Sequence, residues 1–171
     1  MPSLILTVIG PDRPGLVRAL ARTVAAHGGS WLESRMARLG GQFAGIVRVE
    51  APDSLLPALH ALESEGLRIA ATSAAAAAPA GTRLIVEVVG QDRPGIVRDV
   101  AQVLAAHDAN IEELTTDAAS GSFSGETMFR ATAHVLVPDA AAEAAIRSGL
   151  ELLSNEMMVD IRAGGDEAAA R

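Results

Sequence analysis

The stretch GPDRPGLVR at residues 10–18 returns as GQDRPGIVR at residues 90–98, and this repeat decides the fold. When residues 4–39 are placed over residues 84–119 without a gap, 15 of the 36 positions are identical. A fixed offset over this length indicates an internal duplication. We therefore expect two copies of one structural unit, joined by the uncharged segment SAAAAAPAGT at residues 73–82, which contains a proline and a glycine and is typical of a linker.

Each copy shows the same order of strand and helix patterns. LILTVIG is a short β-rich run that ends at a glycine, and Pro14 after it suits the first turn of a helix. Apolar residues at helical spacing follow. Two strands then flank the turn Gly40-Gly41 in the first copy and the longer loop ASGSFSGE in the second. A second helix, which Asp53 or Asp139 could cap, and a last strand complete the copy.

The order βαββαβ leaves few possible arrangements because crossover connections are right-handed. The commonest is the ferredoxin-like sandwich, in which one antiparallel four-stranded sheet carries both helices on one face. We therefore expect an α+β fold with domain 1 at residues 1–73, a linker at 74–81, domain 2 at 82–163 and a flexible tail at 164–171. The bare sheet faces and edge strands need a cover, which predicts that units pair or that the chain forms a homodimer.

The composition limits the classes of function. The 171 residues are 49% hydrophobic and 20% charged, which suffices for a packed core. The absence of cysteine excludes disulfides and thiolate metal sites, and the four histidines lack metal-binding spacing, so we predict no metal and no cofactor. A net charge of −7 argues against direct binding of nucleic acid. No long apolar stretch or signal peptide pattern is present, which predicts a cytoplasmic protein that does not engage a membrane.

The repeated loop joins the first strand of each copy to its first helix, and its residues fit a small zwitterion. Gly10 and Gly15 permit a sharp turn. The first N–H groups of the helix lack internal partners and suit a carboxylate or a phosphate. Asp12, or Asp92 in the second copy, could hold an ammonium group. The same residues are also compatible with a structural role, in which the aspartate caps the helix and Pro-Gly shapes the turn.

The strand, the DRPG turn and the helix that ends in LAAHDANIEEL resemble an ACT domain, a module that senses small molecules in amino-acid metabolism. Two such units in tandem resemble the glycine cleavage system transcriptional repressor family over residues 3–163. The resemblance implies amino-acid binding at an interface between units and regulation through a protein partner, such as a DNA-binding activator, rather than through DNA. The motif resembles equally the ACT segment of formyltetrahydrofolate deformylase, but two ACT units leave no room for a catalytic domain.

The resemblance also implies candidate ligand-binding residues in both loops. Many ligand-binding ACT domains have an asparagine at the start of strand 2, which Asn110 matches, whereas the first copy has Ser30 followed by Trp31. The second copy is therefore the better candidate site. The predicted set is Gly10, Asp12, Arg13, Pro14, Gly15 and Leu16 in the first copy, and Gly90, Asp92, Arg93, Pro94, Gly95, Ile96 and Asn110 in the second. From the residues alone, each loop arginine either pairs with a ligand anion or stays solvated.

These observations predict a non-enzymatic amino-acid sensor. The ligand, glycine or another small amino acid such as serine, would bind beside Asp92, Gly95 and Asn110. The sequence shows no cysteine, no convergent carboxylate pair and no nucleophile with a histidine at motif spacing, so it offers no candidate catalytic residue. The alternatives are a freestanding regulatory subunit that docks on a metabolic enzyme, and an interaction module that binds no ligand.

Overall fold

The structure is a computed structural model, and it describes residues 1–74, 80–120, 127–153 and 157–164. The chain divides into two compact units, Met1–Ala78 and Pro79–Arg171. Most of the predicted linker and nearly all of the predicted tail lie outside the described residues, so the domain boundaries stay predictions. Both units have the βαββαβ order and the antiparallel four-stranded sheet that the sequence predicts, which confirms the fold class.

The bounds of the elements are nearly the same in the two units. The first unit contains β1 (Ser3–Pro11), α1 (Leu16–Ala26), β2 (Ser30–Leu39), β3 (Gln42–Glu50), α2 (Leu55–Ala61), a 3-10 turn (Leu62–Glu65) and β4 (Arg68–Ser73). The second unit contains β5 (Thr82–Gln91), α3 (Ile96–Ala105), β6 (Asn110–Ser120), β7 (Thr127–Val137), α4 (Ala140–Glu151) and β8 (Met157–Ala163). The strand orders are β2-β3-β1-β4 and β6-β7-β5-β8. None of the described helices is long and apolar enough to cross a membrane.

Each core lies between the helices and one face of the sheet. Apolar residues alternate along the central strands and recur at helical spacing in the helices, so both elements bury one side. Leu6 and Leu20 in the first unit, and Val86 and Leu104 in the second, are each at most 1% exposed. A fully buried aliphatic side chain of this size contributes about 2 kcal/mol. The opposite face of the first sheet leaves Ile46 54% exposed.

The helices that follow the DRPG loops begin later than the sequence predicts. We expected Pro14 in the first turn of α1, but the helix begins at Leu16. Gly15 occupies the N-cap position with a φ of 93°, and Pro14 lies in the turn before it. The left-handed backbone of Gly15 therefore sets the start of the helix, and the proline lies outside it.

The second helices begin in two different ways. Asp139 caps α4 as predicted, because its carboxylate accepts a hydrogen bond from the backbone N–H of Ala142 at 2.8 Å. The expectation that Asp53 caps α2 is wrong, since that helix begins after Ser54 without a side-chain cap. In the second unit β6 continues to Ser120, into the predicted loop ASGSFSGE, whose remaining residues lie outside the described ranges.

Candidate ligand-binding loops

The two DRPG loops begin their helices with the same backbone geometry. Gly15 and Gly95 have φ angles of 93° and 95°, in the left-handed region that favours glycine. Among the described residues, no side chain caps α1 or α3. The interpretation of Asp12 and Asp92 as helix caps is therefore wrong. The first-turn N–H groups have no side-chain acceptor in the described part of the chain, and they lie at the positive end of the helix dipole.

Several predicted site residues pack inside their own unit. Gly10 is buried, and a Cβ atom on it would lie 2.5 Å from the carbonyl oxygen of Gly66. Gly90 is buried as well. Leu16 and Ile96 belong to the two cores, with 5% and 3% of their surface exposed. These residues therefore anchor each loop to its sheet and helix, whether or not a ligand is present.

Asp12 is already paired within the first loop. Its carboxylate lies 2.7 Å from Nε of Arg38 on β2. Its backbone N–H donates to the carbonyl of Gly41 at 2.9 Å, which ties the loop to the β2–β3 turn. A charge-assisted hydrogen bond at this distance satisfies the carboxylate. A ligand ammonium group at Asp12 would have to displace the arginine.

Asp92 has no such partner in the second loop. Its side chain is exposed and forms no ion pair with another described residue. Its backbone N–H donates to the carbonyl of Thr127 at 2.8 Å. Ala118 is the residue of the second unit that corresponds to Arg38 in the sheet. Each of these residues pairs with a phenylalanine on the next strand, and that phenylalanine pairs in turn with the first glycine of the loop. The second loop therefore presents a carboxylate that can receive an ammonium group.

The two loop arginines bond in different directions. Arg13 donates to the backbone carbonyl of Glu65 and lies 3.8 Å from the carboxylate of the same residue. Arg93 donates to the carboxylate of Asp99 at 3.0 Å and to the carbonyl of Pro94 at 3.4 Å. Both guanidinium groups thus bond within their own unit, while 48% of the Arg13 side chain and 33% of the Arg93 side chain stay exposed. Binding of a ligand anion by either arginine stays a prediction.

Sequence reasoning missed Asp99, which organises the start of α3. Hydrogen bonds from Arg98, and then from Arg93, hold the pKa of Asp99 below its ordinary value of 3.8. Arg98 and Asp99 lie in the first turn of α3, and Arg93 lies in the loop before it. The first copy has Ala19 at this position, and that difference between the two copies is the signal in the sequence that could have identified Asp99.

The sheet register separates Asn110 from the loop of its own unit. Asn110 pairs with Leu136, which pairs with Arg83 near the start of β5. Asp92 follows the other end of that strand. Nine positions at the rise of a β-strand amount to about 30 Å. One unit therefore does not bring Asp92, Gly95 and Asn110 together, and a site containing all three needs a second unit.

Within the described residues, no side-chain cluster could hold a metal ion, and the apolar cavity of the second unit is too small for an amino acid. No group of three or more histidine, aspartate or glutamate side chains in that part of the chain could hold a metal ion. A cavity of about 20 Å³ lies between α3 and the second sheet, lined by apolar residues that include Val97, Leu114 and Ala133. A space of this size holds about one water-sized group, which is too small for an amino acid.

The comparison with known families agrees with the fold and the loops. The family model of the ACT domain matches residues 3–75 and again residues 82–164. The chain therefore belongs to the ACT-domain family, as a tandem of two such domains. This result confirms the resemblance that the DRPG motif and its helix indicate.

Two kinds of relative extend this assignment. The glycine cleavage system transcriptional repressor of Escherichia coli K12 is 28% identical over 163 residues, which cover 90% of this chain and 85% of the repressor. The repressor of the same name from Shigella flexneri matches equally well. The crystal structure of an unknown protein from Galdieria sulphuraria is 33% identical, with a TM-score of 0.85, and covers 95% of this chain and 98% of that protein. The chain is thus similar to a repressor, and its fold is similar to that of the Galdieria protein, over almost its whole length.

Proposed function

We propose that this chain is a non-enzymatic regulator that senses a small amino acid and acts through a protein partner. The tandem of ACT domains and the similarity to the glycine cleavage repressor support a regulatory role. The observation that carries the proposal is the carboxylate of Asp92, which has no ion pair among the described residues and lies just before an uncapped helix N-terminus. The negative carboxylate and the positive end of the helix dipole lie close together, and this arrangement suits the ammonium and carboxylate groups of a free amino acid.

The ligand would lie across the start of α3. The ammonium group binds Asp92, and the ligand carboxylate accepts hydrogen bonds from the first-turn N–H groups of the helix. Small ligands such as glycine and serine fit this arrangement because it reads the common part of an amino acid and offers no deep pocket for a side chain.

A second ACT unit completes the site. Asn110 starts the edge strand β6, and antiparallel pairing of two edge strands brings the start of one beside the end of the other. In such a pair, Asn110 lies near the loop of the neighbouring unit and not near its own. This arrangement supports the interface position that the resemblance implies, and it favours a homodimer or another pairing of units.

Ligand binding would change the affinity for the partner. A ligand shifts a conformational equilibrium by its difference in affinity for the two states, commonly about 1–3 kcal/mol between coupled sites. The repressor similarity favours a DNA-binding activator as the partner, with the glycine cleavage genes or other genes of amino-acid metabolism as the target, in the cytoplasm. A metabolic enzyme is the alternative partner. Capture of partners from a lysate of the source organism distinguishes the two, since a transcription factor supports the first and an enzyme the second.

A thermal-shift screen tests the sensor directly. The purified protein is heated with each of the twenty amino acids at millimolar concentration, and every hit is titrated by calorimetry. We expect a selective rise in the melting temperature with a small amino acid, because a ligand that binds the folded state stabilises it. The Asn110→Ala variant should bind that ligand more weakly. No shift with any amino acid, confirmed by calorimetry, would leave an interaction module that binds no ligand.

A further inference from the structure

A cavity in the core of the second unit is lined by apolar side chains alone. Its enclosed part measures about 20 Å³, and the whole depression holds about 360 Å³ of atom-free space when the solvent at its mouth is included. The lining residues come from β5, α3, β6 and β7, so the cavity lies within one unit. Val97 on α3 and Leu114 on β6 are the most exposed of them, at 41% and 43%. The cavity therefore opens between that helix and that edge strand.

The second core has smaller side chains than the first at four positions around the cavity. The positions match through the fixed offset of the repeat or through the sheet register, and the pairs, first unit before second, are Leu6 and Val86, Leu20 and Val100, Trp31 and Ile111, and Val47 and Ala133. The opposite changes, from Val24 to Leu104 and from Gly45 to Ala131, offset part of the lost volume. The first core thus has larger side chains at the place that the second core leaves open.

The mouth of the cavity is more apolar than the same place in the first unit. Leu114 pairs with Ala133 in the sheet, and the matching residue of the first unit is Ser34, which pairs with Val47. The second unit therefore has a leucine where the first has a serine. An apolar group that enters here gains dispersion contacts with the side chains at the mouth as well as with those inside.

The lining selects an apolar occupant. A buried water molecule needs about two to four polar partners, and apolar side chains offer none. A charged or polar group would lose its hydration and gain no hydrogen bond in return. An apolar group gains contacts that the lining of an empty cavity lacks. The enclosed part has room for about one carbon-sized group, so the rest of a ligand must lie in the mouth.

We propose that this cavity binds the end of a short alkyl chain of a small molecule. The terminal methyl group occupies the enclosed space beside Ala133, and the next carbon atoms lie between Val97 and Leu114. The site is separate from Asp92 and does not depend on amino-acid binding. It also does not depend on what lies outside the unit, because closed apolar cavities take up small apolar molecules as well.

Methyl NMR spectra of the full chain test the site with three probes. Xenon tests the enclosed space, n-butanol tests the alkyl chain, and a butanediol with a hydroxyl group at each end is the control. We expect xenon and n-butanol to shift the methyl signals of Val97, Val100 and Leu114 saturably, while the diol leaves them unchanged because it has no apolar end. Affinity should rise about fourfold for each methylene group from ethanol to n-butanol. No shift with xenon, or equal shifts with the diol, would overturn the proposal.

A matched pair of variants shows whether the probes bind in this cavity. Ala133→Val introduces the residue that the first unit has at this position, and it should weaken n-butanol binding by about tenfold or more. The control is Ala119→Val, which adds the same two methyl groups on an exposed part of β6 outside the cavity and should bind as the wild type does. Circular dichroism confirms the fold of both variants.

Leu114→Ser provides a second test at the mouth, where a folding defect is not expected because the residue is partly exposed. It introduces the first unit's serine and should weaken n-butanol binding severalfold, since the chain loses its contacts with the leucine. Should Ala133→Val fail to fold, this variant decides the question. Wild-type affinity for n-butanol in a folded Ala133→Val or in Leu114→Ser, or an equal loss in Ala119→Val, contradicts the proposal.

Discussion

The two DRPG loops have the same motif and the same backbone, but their charges are satisfied differently. In the first loop, Asp12 is paired with Arg38 at 2.7 Å. In the second loop, Asp92 has no ion pair among the described residues, because Ala118 stands where the first copy has the arginine. The motif therefore determines the turn and the start of the helix. A residue on β2 or β6, outside the motif, decides whether the aspartate has an ion-pair partner within its own unit.

The arginines extend the contrast. Arg13 bonds to Glu65, which precedes β4, whereas Arg93 bonds to Asp99 on the helix that it precedes. The first loop is thus closed by contacts with other elements of its unit, and the second is organised around its own helix. This difference supports separate roles for the two copies, with a structural first loop and a sensing second loop.

The largest effect is expected where the first loop approaches its own unit most closely. Gly10→Ala should destabilise the first unit by about 3 kcal/mol, because the new Cβ would lie 2.5 Å from the Gly66 carbonyl oxygen and the backbone must shift. Urea denaturation measures the change. The control is Gly15→Ala, which has nothing within 4 Å and should lose only about 1 kcal/mol to its left-handed φ. A smaller loss for Gly10→Ala than for Gly15→Ala would show that the close approach does not anchor the loop.

Exchanging the residues at positions 38 and 118 should exchange which loop aspartate has an arginine partner. Ala118→Arg brings a guanidinium to Asp92 and should weaken amino-acid binding about tenfold or more, in line with the roughly 1.5–3 kcal/mol of a hydrogen bond to a charged group. Ala118 is exposed, so the fold should be unaffected. Calorimetry measures the affinity. Arg38→Ala is the reciprocal variant, and it should open Asp12 to the ligand. Wild-type affinity in a folded Ala118→Arg would mean that Asp92 does not bind the ammonium group.

A smaller effect is expected in the packing below the second loop. Val47 in the first unit is fully buried opposite Leu6, and the corresponding residue of the second unit is Ala133, which lines the small cavity under α3. Ala133→Val should fill that space and raise the free energy of unfolding by about 1 kcal/mol. Thermal unfolding gives the change, and Val47→Ala, which should destabilise the first unit, is the matched control. A destabilised Ala133→Val would show that the second core has no space to fill.

The smallest effect concerns the pH dependence of Asp99. Its pKa is lower in the folded protein than its ordinary 3.8, so the unfolded state binds the proton more tightly. The stabilisation by this carboxylate is therefore fully present above about pH 5 and is lost as the pH falls through the folded pKa. The difference in unfolding free energy between the wild type and Asp99→Asn should be constant above that pH and shrink below it. A difference that stays constant down to pH 2.5, about one unit below the ordinary pKa, would contradict the ion pairs.

The fold could be predicted from the sequence because its evidence is local and repeated. The duplicated strand and helix patterns occur in each copy, so each supports the interpretation of the other. The ion pair between Asp12 and Arg38 could not be predicted from the sequence. Arg38 lies 26 residues after Asp12, and only the register of β2 on β3 brings the two together. The same register separates Asn110 from Asp92, which closeness in the sequence would not suggest.

Calorimetry on two matched variants tests the central claim most directly. The amino acid selected by the thermal-shift screen is titrated into the wild type, Asp12→Ala and Asp92→Ala under the same conditions. We expect the wild type and Asp12→Ala to bind one ligand per chain with affinities within about twofold, and Asp92→Ala to lose about tenfold or more. Equal losses in the two variants, or a loss confined to Asp12→Ala, would contradict the assignment of sensing to the second loop.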